Sequence, residues 1–297
     1  MTVRSSGTII KGVGGFYSVM DASGNLFTCR ARGKFRYEKI TPMPGDKVQF
    51  GIAQGGAQHA YIEEILQRKN VFVRPMAANI DVVLIVVAPQ PQPDLLLVDK
   101  MVLQAQLQHV PVWLCFNKCD LDDGALYRQL AAGYTAAGCT CMQISARKKT
   151  GVAAVSALMQ GQTVCLAGQS GVGKSSLINA IDGQFALQTD GLSARIGRGK
   201  NTTRHAQLHP IAGGMAVDTP GFSLLELPAL LPEELQQCYV EFAPYFGQCR
   251  FLGCVHHKEP DCAIKAAVQA GEIDAGRYAR YTIFYNELLD RRKHRYD

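Results

Sequence analysis

Residues 163–181 read TVCLAGQSGVGKSSLINAI, and the fold follows from how this stretch is read. An apolar run of strand length leads into GQSGVGKS, from Gly168 to Ser175, a complete G-x-x-x-x-G-K-[ST]. KSSLINAI follows with apolar residues at helical spacing. Strand, glycine loop and helix in that order make a phosphate-binding loop. Gly171 and Gly173 let the backbone turn so that the N–H groups of the loop, those of Gln169, Ser170 and Val172 included, converge on phosphate oxygens. The helix N-terminus adds the positive end of its dipole. Lys174 is placed to reach the β- and γ-phosphates, and the Ser175 hydroxyl to ligate Mg²⁺. A plain glycine-rich turn with a surface lysine would not need the four fixed residues of this eight-residue pattern in this context.

Outward from the loop, apolar strand-length runs (IDVVLIVVA, VPVWLCF, CTCMQIS, QTVCLAG, GMAVDT) alternate with helix-period stretches (DLLLVDKMVLQAQLQ, GALYRQLAAGYTAAG, VAAVSALM, KSSLINAI). That pattern predicts a parallel sheet covered on both faces. Residues 1–67 differ: short alternating runs divided by Gly, Pro, Asp and Asn clusters predict a small β-barrel. An OB-like barrel is the natural expectation, and strand count alone leaves an SH3-like one open. NVFVR (70–74) reads as a connector, and beyond residue 225 the pattern turns helical around a Cys/His cluster. The expectation is therefore a multidomain chain. It has an all-β OB-like barrel over 1–67, a central α/β unit over 68–225 and a mostly helical zinc-binding unit over 226–297.

Composition agrees with this plan. A chain of 297 residues exceeds one ordinary domain, and 47% hydrophobic residues exclude bulk disorder. The longest apolar run, Val82 to Pro89, is too short to cross a bilayer, so no membrane role is expected. No apolar core with a small-residue cleavage site opens the chain, which argues against a secretory signal. The 10 cysteines are too sparse for a disulfide mini-scaffold. Cys115, Cys139, Cys141 and Cys165 lie in apolar runs as small hydrophobes, which suits a reducing cytoplasm. A net charge of +6 permits a polyanionic partner without requiring one.

A phosphate loop does not distinguish GTP from ATP. Asn117-Lys118-Cys119-Asp120 follows VPVWLCF, at the carboxyl end of a strand where α/β sheets bind ligands. An aspartate there accepts from guanine N1–H and N2–H₂, whereas adenine would leave it unpaired. Ser145-Ala146 ends the next strand, where a backbone N–H could meet guanine O6. Asp218-Thr219-Pro220-Gly221 ends GMAVDT; its Asp218 could hold Mg²⁺ through water and the Gly221 N–H could touch the γ-phosphate. In the polar segment Gly197 to Arg204 (GRGKNTTR), Thr203 or Thr202 could complete the Mg²⁺ shell. These are GTPase motifs in an altered order, since Asn117 and Ser145 precede Gly168. The order predicts a circularly permuted GTPase, which folds when the old termini lie close together.

Cys249-x₄-Cys254-x-His256-x₅-Cys262 offers three thiolates and an imidazole, a closed tetrahedral shell for one structural Zn²⁺. His257 is the runner-up ligand. Arg30, Arg32, Lys34 and Arg36 alternate and, if extended, share one strand face, with Phe35 and Tyr37 opposite. A second basic run, Arg291 to Arg295, ends a predicted helix. Two basic patches beside a nucleotide-binding unit lean towards RNA.

Together GQSGVGKSS, the motif order, GRGKNTTR and the C-x₄-C-x-H-x₅-C ending in CAIKAAV resemble the ribosome small-subunit-dependent GTPase A family (RsgA, also called YjeQ), over essentially the whole chain. The resemblance implies an OB-fold, a permuted GTPase and a zinc domain. It also implies a late assembly factor of the 30S subunit, whose GTP hydrolysis the 30S stimulates and which contacts 16S rRNA. Carried over, Asn117, Lys118 and Asp120 hold guanine, and Gly171, Gly173, Lys174, Ser175 and Ser176 cradle phosphates. Thr203 and Asp218 support Mg²⁺, and Cys249, Cys254, His256 and Cys262 bind zinc. The family often carries His before the Thr pair; here Asn201 stands there, with His205 nearby. Phe222 follows DTPG where a Ras-type enzyme has a water-orienting Gln, so intrinsic hydrolysis is expected to be slow and raised on the ribosome. A nucleotide-gated RNA-binding module with little turnover, or a permuted GTPase of another ribosomal particle, are the alternatives. The expected protein is monomeric and cytoplasmic.

Overall fold

Period-two patterning near the N-terminus produces β1 (Val3–Val13), β2 (Phe16–Asp21), β3 (Leu26–Ala31), β4 (Lys47–Ile52) and β5 (Ala60–Ile65) in the computed structural model of the chain. The structure describes residues 3–52, 60–73, 75–183, 206–218 and 226–294, with backbone only at 3 and 218. Its contacts divide the chain into two units. One comprises Met1–Leu84, Lys149–Ala167 and Lys174–Phe222; the other comprises Ile85–Lys148, Gly168–Gly173 and Ser223–Asp297.

In the first unit the strands run β1–β2–β3–β5–β4, and β4 pairs back onto β1. Only β3–β5 is parallel among these pairs. The long β1 serves two partners, with a register shift between Ile9 and Lys11 that bends it from one to the other. Closure in this order makes an OB-like barrel, which decides between the two barrels left open by strand count. Inward positions Ile9, Val19, Cys29, Val48, Phe50 and Ile62 fill its core.

The basic run departs from expectation. β3 stops at Ala31, and Lys34–Tyr37 forms one helical turn, α1, so Arg30, Arg32, Lys34 and Arg36 do not share a strand face. The turn swings Phe35 into the barrel core and leaves Tyr37 exposed. Burying one aromatic stabilises by about 2–3 kcal/mol, more than local strand preference can offset.

The presumed connector is itself structured: β6 (Val71–Phe72) pairs with β7 (Ala77–Ala78). Fully buried Asp46 receives both Nε (2.6 Å) and Nη2 (2.8 Å) of Arg68, and buried Asn79 donates to Gly45 O. Asp81 then accepts from Thr163 N–H at 2.9 Å. This leads into the α/β part of the unit. There β11 (Thr163–Ala167) runs parallel to β13 (Gly214–Asp218), which pairs antiparallel with β12 (Gln207–Ile211). Helices α4 (Val152–Met159) and α5 (Lys174–Ile181) accompany them; β8 (Val82–Val87), buried along its whole length, has Val82–Leu84 in this unit and 85–87 in the other.

The second unit holds α2 (Leu95–Leu107), β9 (Val112–Phe116), α3 (Ala125–Ala136) and β10 (Thr140–Gln143), with β9 and β10 parallel. Two 3₁₀ segments, Pro232–Cys238 and Val240–Tyr245, precede α6 (Ala263–Gln269) and α7 (Ala275–Lys293). Asp94 and Asp274 cap α2 and α7 by accepting from the N–H groups of Leu97 and Arg277. Tyr239, Phe242, Tyr281 and Phe284 form an aromatic core, which Leu103 of α2 joins. Cys115, Cys139 and Cys165 are buried as expected, and burial pushes each thiol up to about 12, whereas Cys141 is only half-buried. Among the described residues no helix is long and apolar enough to cross a membrane.

Candidate nucleotide and metal sites

β9 delivers the NKCD segment to the carboxyl end of its strand, where the Asn117 N–H bonds Val87 O at 2.8 Å. The Asn117 side chain is buried. Its Nδ2 donates to Val172 O (2.9 Å) and its Oδ1 accepts from Ala146 N–H (3.0 Å). One amide thus ties three motifs together: NKCD, the Ser145-Ala146 turn and the phosphate loop. Asn117 braces the site, and of the backbone N–H groups at the Ser145-Ala146 turn that of Ala146 is bonded to it. Lys118, at φ +60, spans the loop: its Nζ donates to Gln90 O and Gly171 O, both at 2.7 Å.

Asp120 Oδ1 accepts from the Ser145 hydroxyl at 2.5 Å, and this bond holds the carboxyl below its ordinary pKa. The Ser145 oxygen in turn accepts from Lys148 N–H at 3.1 Å. A carboxylate offers about four lone-pair directions, so the serine leaves acceptor capacity for a ligand. Asp120 is therefore an oriented, ionised acceptor at the strand end.

The glycines of the phosphate loop are required by space. A Cβ on Gly168 (φ +131) would lie 2.3 Å from Val86 O, and one on Gly173 (φ +97) 2.4 Å from Asn117 Nδ2. Left-handed backbone costs a non-glycine residue about 1–2 kcal/mol before any clash. Gly173→Ala is accordingly expected to weaken guanine nucleotide binding at least about tenfold, since roughly 1.4 kcal/mol is a factor of ten. Titration with a fluorescent GDP analogue checks this, and unchanged affinity would mean that the brace through Asn117 does not shape the site.

Lys174, Ser175 and Ser176 open α5, with both serines exposed. Asp218 ends β13, and only its backbone is described. Thr202, Thr203, Asn201, His205, Thr219, Pro220, Gly221 and Phe222, with the whole Gly197 to Arg204 segment, lie outside the described residues, as does Arg295. Residues 90–94 were not anticipated. Besides the Lys118 bond to Gln90 O, the Asp94 N–H donates to Gln169 Oε1 in the phosphate loop at 3.2 Å. The Asp-before-apolar-run signature at Asp94 could have marked the helix start, although not this contact.

In the second unit, Cys249, Cys254, His256 and Cys262 bring one donor atom each within 4.8 Å of one another. His256 turns Nδ1 inward, 3.5 Å from Cys249 Sγ and 3.3 Å from Cys262 Sγ; the two sulfurs are 3.9 Å apart. Zinc–sulfur bonds of about 2.3 Å and zinc–nitrogen bonds of about 2.0 Å in a tetrahedron require separations of roughly 3.5–3.8 Å, so the donor set fits Zn²⁺. His256 Nε2 donates to Gln236 Oε1 at 2.8 Å, a bond that orients the ring and that sequence reading missed. His257, the runner-up, has no part in this cluster.

The basic tail is largely committed within the protein. Arg291 bonds Glu287 and Leu227 O, Arg292 bonds Glu233, and Lys293 lies 3.4 Å from Asp290. On the barrel, Arg32 pairs with Glu63, and Arg30 lies over the half-exposed Phe16 ring at 4.6 Å.

A phosphate loop that follows the NKCD and Ser-Ala segments in the chain, together with an OB-like barrel and a Cys₃His cluster, defines a circularly permuted P-loop GTPase. The RsgA GTPase family model matches residues 65–228, and the RsgA N-terminal domain model matches 6–62. The small ribosomal subunit biogenesis GTPase RsgA of Ruminiclostridium cellulolyticum is 41% identical over 287 residues, covering 96% of this chain and 94% of its own. The crystal structure of YjeQ from Thermotoga maritima superposes with a TM-score of 0.81 at 34% identity, covering 97% of this chain and 99% of that one. YloQ, described as a circularly permuted GTPase, gives 0.79 at 34% identity, with coverages of 97% and 96%. The chain belongs to the RsgA GTPase family.

Proposed function

We propose that this protein hydrolyses GTP to GDP and phosphate as an assembly factor of the small ribosomal subunit. The observation that carries the reading is the single amide of Asn117 joining the base-side and phosphate-side loops, with Asp120 set beside them as an ionised acceptor. In this reading Asp120 accepts from the guanine edge, Lys118 and Asn117 hold the loops at fixed spacing, and Ala146 and Ser145 orient the base side. Gly168 to Ser176 wraps the phosphates, with Lys174 countering the charge that develops on the γ-phosphoryl oxygens. Ser175, exposed at the start of α5, Thr203 and Asp218 are the residues that would hold Mg²⁺, which would supply positive charge to offset that of the phosphates. Gly221 N–H is assigned to the γ-phosphate. Cys249, Cys254, His256 and Cys262 hold one structural Zn²⁺.

The partner reading rests on the relative's name and on the barrel surface, where Arg30 over Phe16, Lys34 and Arg36 are exposed and suit 16S rRNA. Because Arg291, Arg292 and Lys293 are paired internally, the barrel carries the larger share of that contact. We place the domain divisions after residues 67 and 225, and the protein in the cytoplasm as a monomer. Steady-state GTP hydrolysis with and without purified 30S subunits tests the proposal. Stimulation of at least about tenfold by 30S, and not by 50S, is expected. Equal rates would overturn ribosomal activation, and an absence of single-turnover hydrolysis on 30S would favour the nucleotide-gated binding module.

A further inference from the structure

Asp99 is a carboxylate with no solvent exposure in the middle of α2, and both its oxygens are taken by arginines one turn apart on α7. Arg277 Nη1 donates to Oδ1 at 2.8 Å and Arg280 Nε donates to Oδ2. Arg277 also gives its Nε to Glu241 Oε1 at 2.8 Å and stacks between Tyr134 (5.3 Å) and Tyr239 (4.9 Å). Two acids and two arginines balance, so removing any one leaves an uncompensated buried charge. Burial opposes the Arg277 charge, yet Asp99 and Glu241 outweigh it and raise its pKa above the ordinary arginine value.

Such a network adds little net stability over an apolar contact of the same volume, because desolvation offsets the attraction. What it adds is direction. Packing of Leu103 into the aromatic core would tolerate sliding or rotation of α2. Two arginines holding the two oxygens of one carboxylate fix both the axial register and the rotation of α2 on α7. Lys100, 3.5 Å from Glu287, adds a second, more exposed pin.

The other end of α2 meets the nucleotide site. The Asp94 N–H donates to Gln169 Oε1, and Lys118 ties Gln90 O to Gly171 O. Asp94 and Asp99 are five residues apart, about 7.5 Å along a rigid helix. We propose that α2 is a strut that positions the phosphate loop from the C-terminal helix, with Asp99, Arg277 and Arg280 as positioning residues for nucleotide binding and Gln169 as the point of delivery. The inference rests on the GTP reading above. By reciprocity, nucleotide in the loop must then stabilise α7 by as much as the anchored strut favours nucleotide.

The test uses the full-length, zinc-loaded protein and GDP. Hydrogen exchange of the unmodified chain is expected to show α7 amides around Arg277–Tyr281 slowed at least about twofold by saturating GDP. Arg280→Gln, chosen because its side chain is 11% exposed against 2% for Arg277, is expected to abolish that slowing and to weaken GDP about three- to tenfold. Gln169→Ala should weaken GDP to a similar degree, and the double variant by clearly less than the product, since both changes interrupt one route. Tyr281→Phe, which removes the bond from its hydroxyl to Val255 O in the same core, should leave GDP affinity unchanged. Multiplicative effects of the two substitutions, or α7 exchange indifferent to GDP in the unmodified chain, would overturn the strut. The exchange measurement stands even if Arg280→Gln does not fold. If GDP fails to bind the unmodified protein at all, it is the nucleotide reading that falls.

Discussion

Asp120→Asn is expected to lower GTP affinity at least about a hundredfold and to create affinity for xanthosine triphosphate. The carboxylate can only accept, and guanine presents two donors side by side, N1–H and N2–H₂. A site built to pair ligand hydrogens loses heavily when that pairing fails, because the bound ligand covers the group and leaves it unsatisfied. Xanthine carries a carbonyl in place of the 2-amino group, and the asparagine amide can donate to it. The Ser145 hydroxyl strengthens the expectation by donating to Oδ1 and fixing the plane of the carboxylate. That bond also depresses the carboxyl's pKa, so the group is ionised at neutral pH. Nucleotide affinity should therefore be flat around neutrality and fall only as acid protonates Asp120. Competition calorimetry with GTP, ATP and xanthosine triphosphate checks the assignment. Unchanged GTP affinity in the variant, or a preference for ATP in the unmodified chain, would contradict it.

What the sequence disclosed and what it concealed divide along sequence distance. GQSGVGKS and the Cys/His spacing are local, since loop geometry and ligand reach dictate residue types within a few positions. Both landed where their patterns placed them. The permuted order was legible for the same reason, being a matter of which local motif comes first. Closure of the barrel was not. It depends on β3 pairing parallel with β5 and on β4 returning to β1, choices that loop lengths and core volume make together. The basic run misled because alternation at 30–36 fits a strand, while Phe35 is worth more inside the barrel than on a strand face. The sequence marked Asn117 as a residue of the base site but not its bonds within the protein: Val172 and Ala146 lie 55 and 29 residues away, and no spacing rule reaches them. Asp99 and Arg277, 178 residues apart, are a still plainer case: an aspartate in an apolar helical stretch reads as an exposed position until its partner is seen.

Loss of zinc is expected to unfold the C-terminal half of the second unit rather than to trim its stability. Its core is the aromatic group around Tyr239, Phe242 and Tyr281, and the segment 246–262 that closes over it contains no helix or strand. His256 stands at φ +58, a backbone state that costs about 1 kcal/mol or more and that metal ligation would repay. Structural zinc contributes roughly 10–16 kcal/mol of binding free energy in small metal-folded units, against a total stability of about 5–15 kcal/mol for a domain. Cys254→Ser is therefore expected to purify without zinc and to lose the cooperative transition of this region, and a strong chelator should do the same to the unmodified protein on warming. Gln236→Ala should keep stoichiometric zinc while weakening it about 10- to 100-fold, because Nε2 would lose the acceptor that orients the ring. His257→Ala should leave both content and affinity unchanged. Elemental analysis reads zinc content, near-ultraviolet circular dichroism the folded core, and competition with a chromophoric chelator the affinity. A protein that purifies without metal yet gives the same C-terminal hydrogen-exchange protection as the zinc-loaded form would show that the aromatic core holds this region unaided.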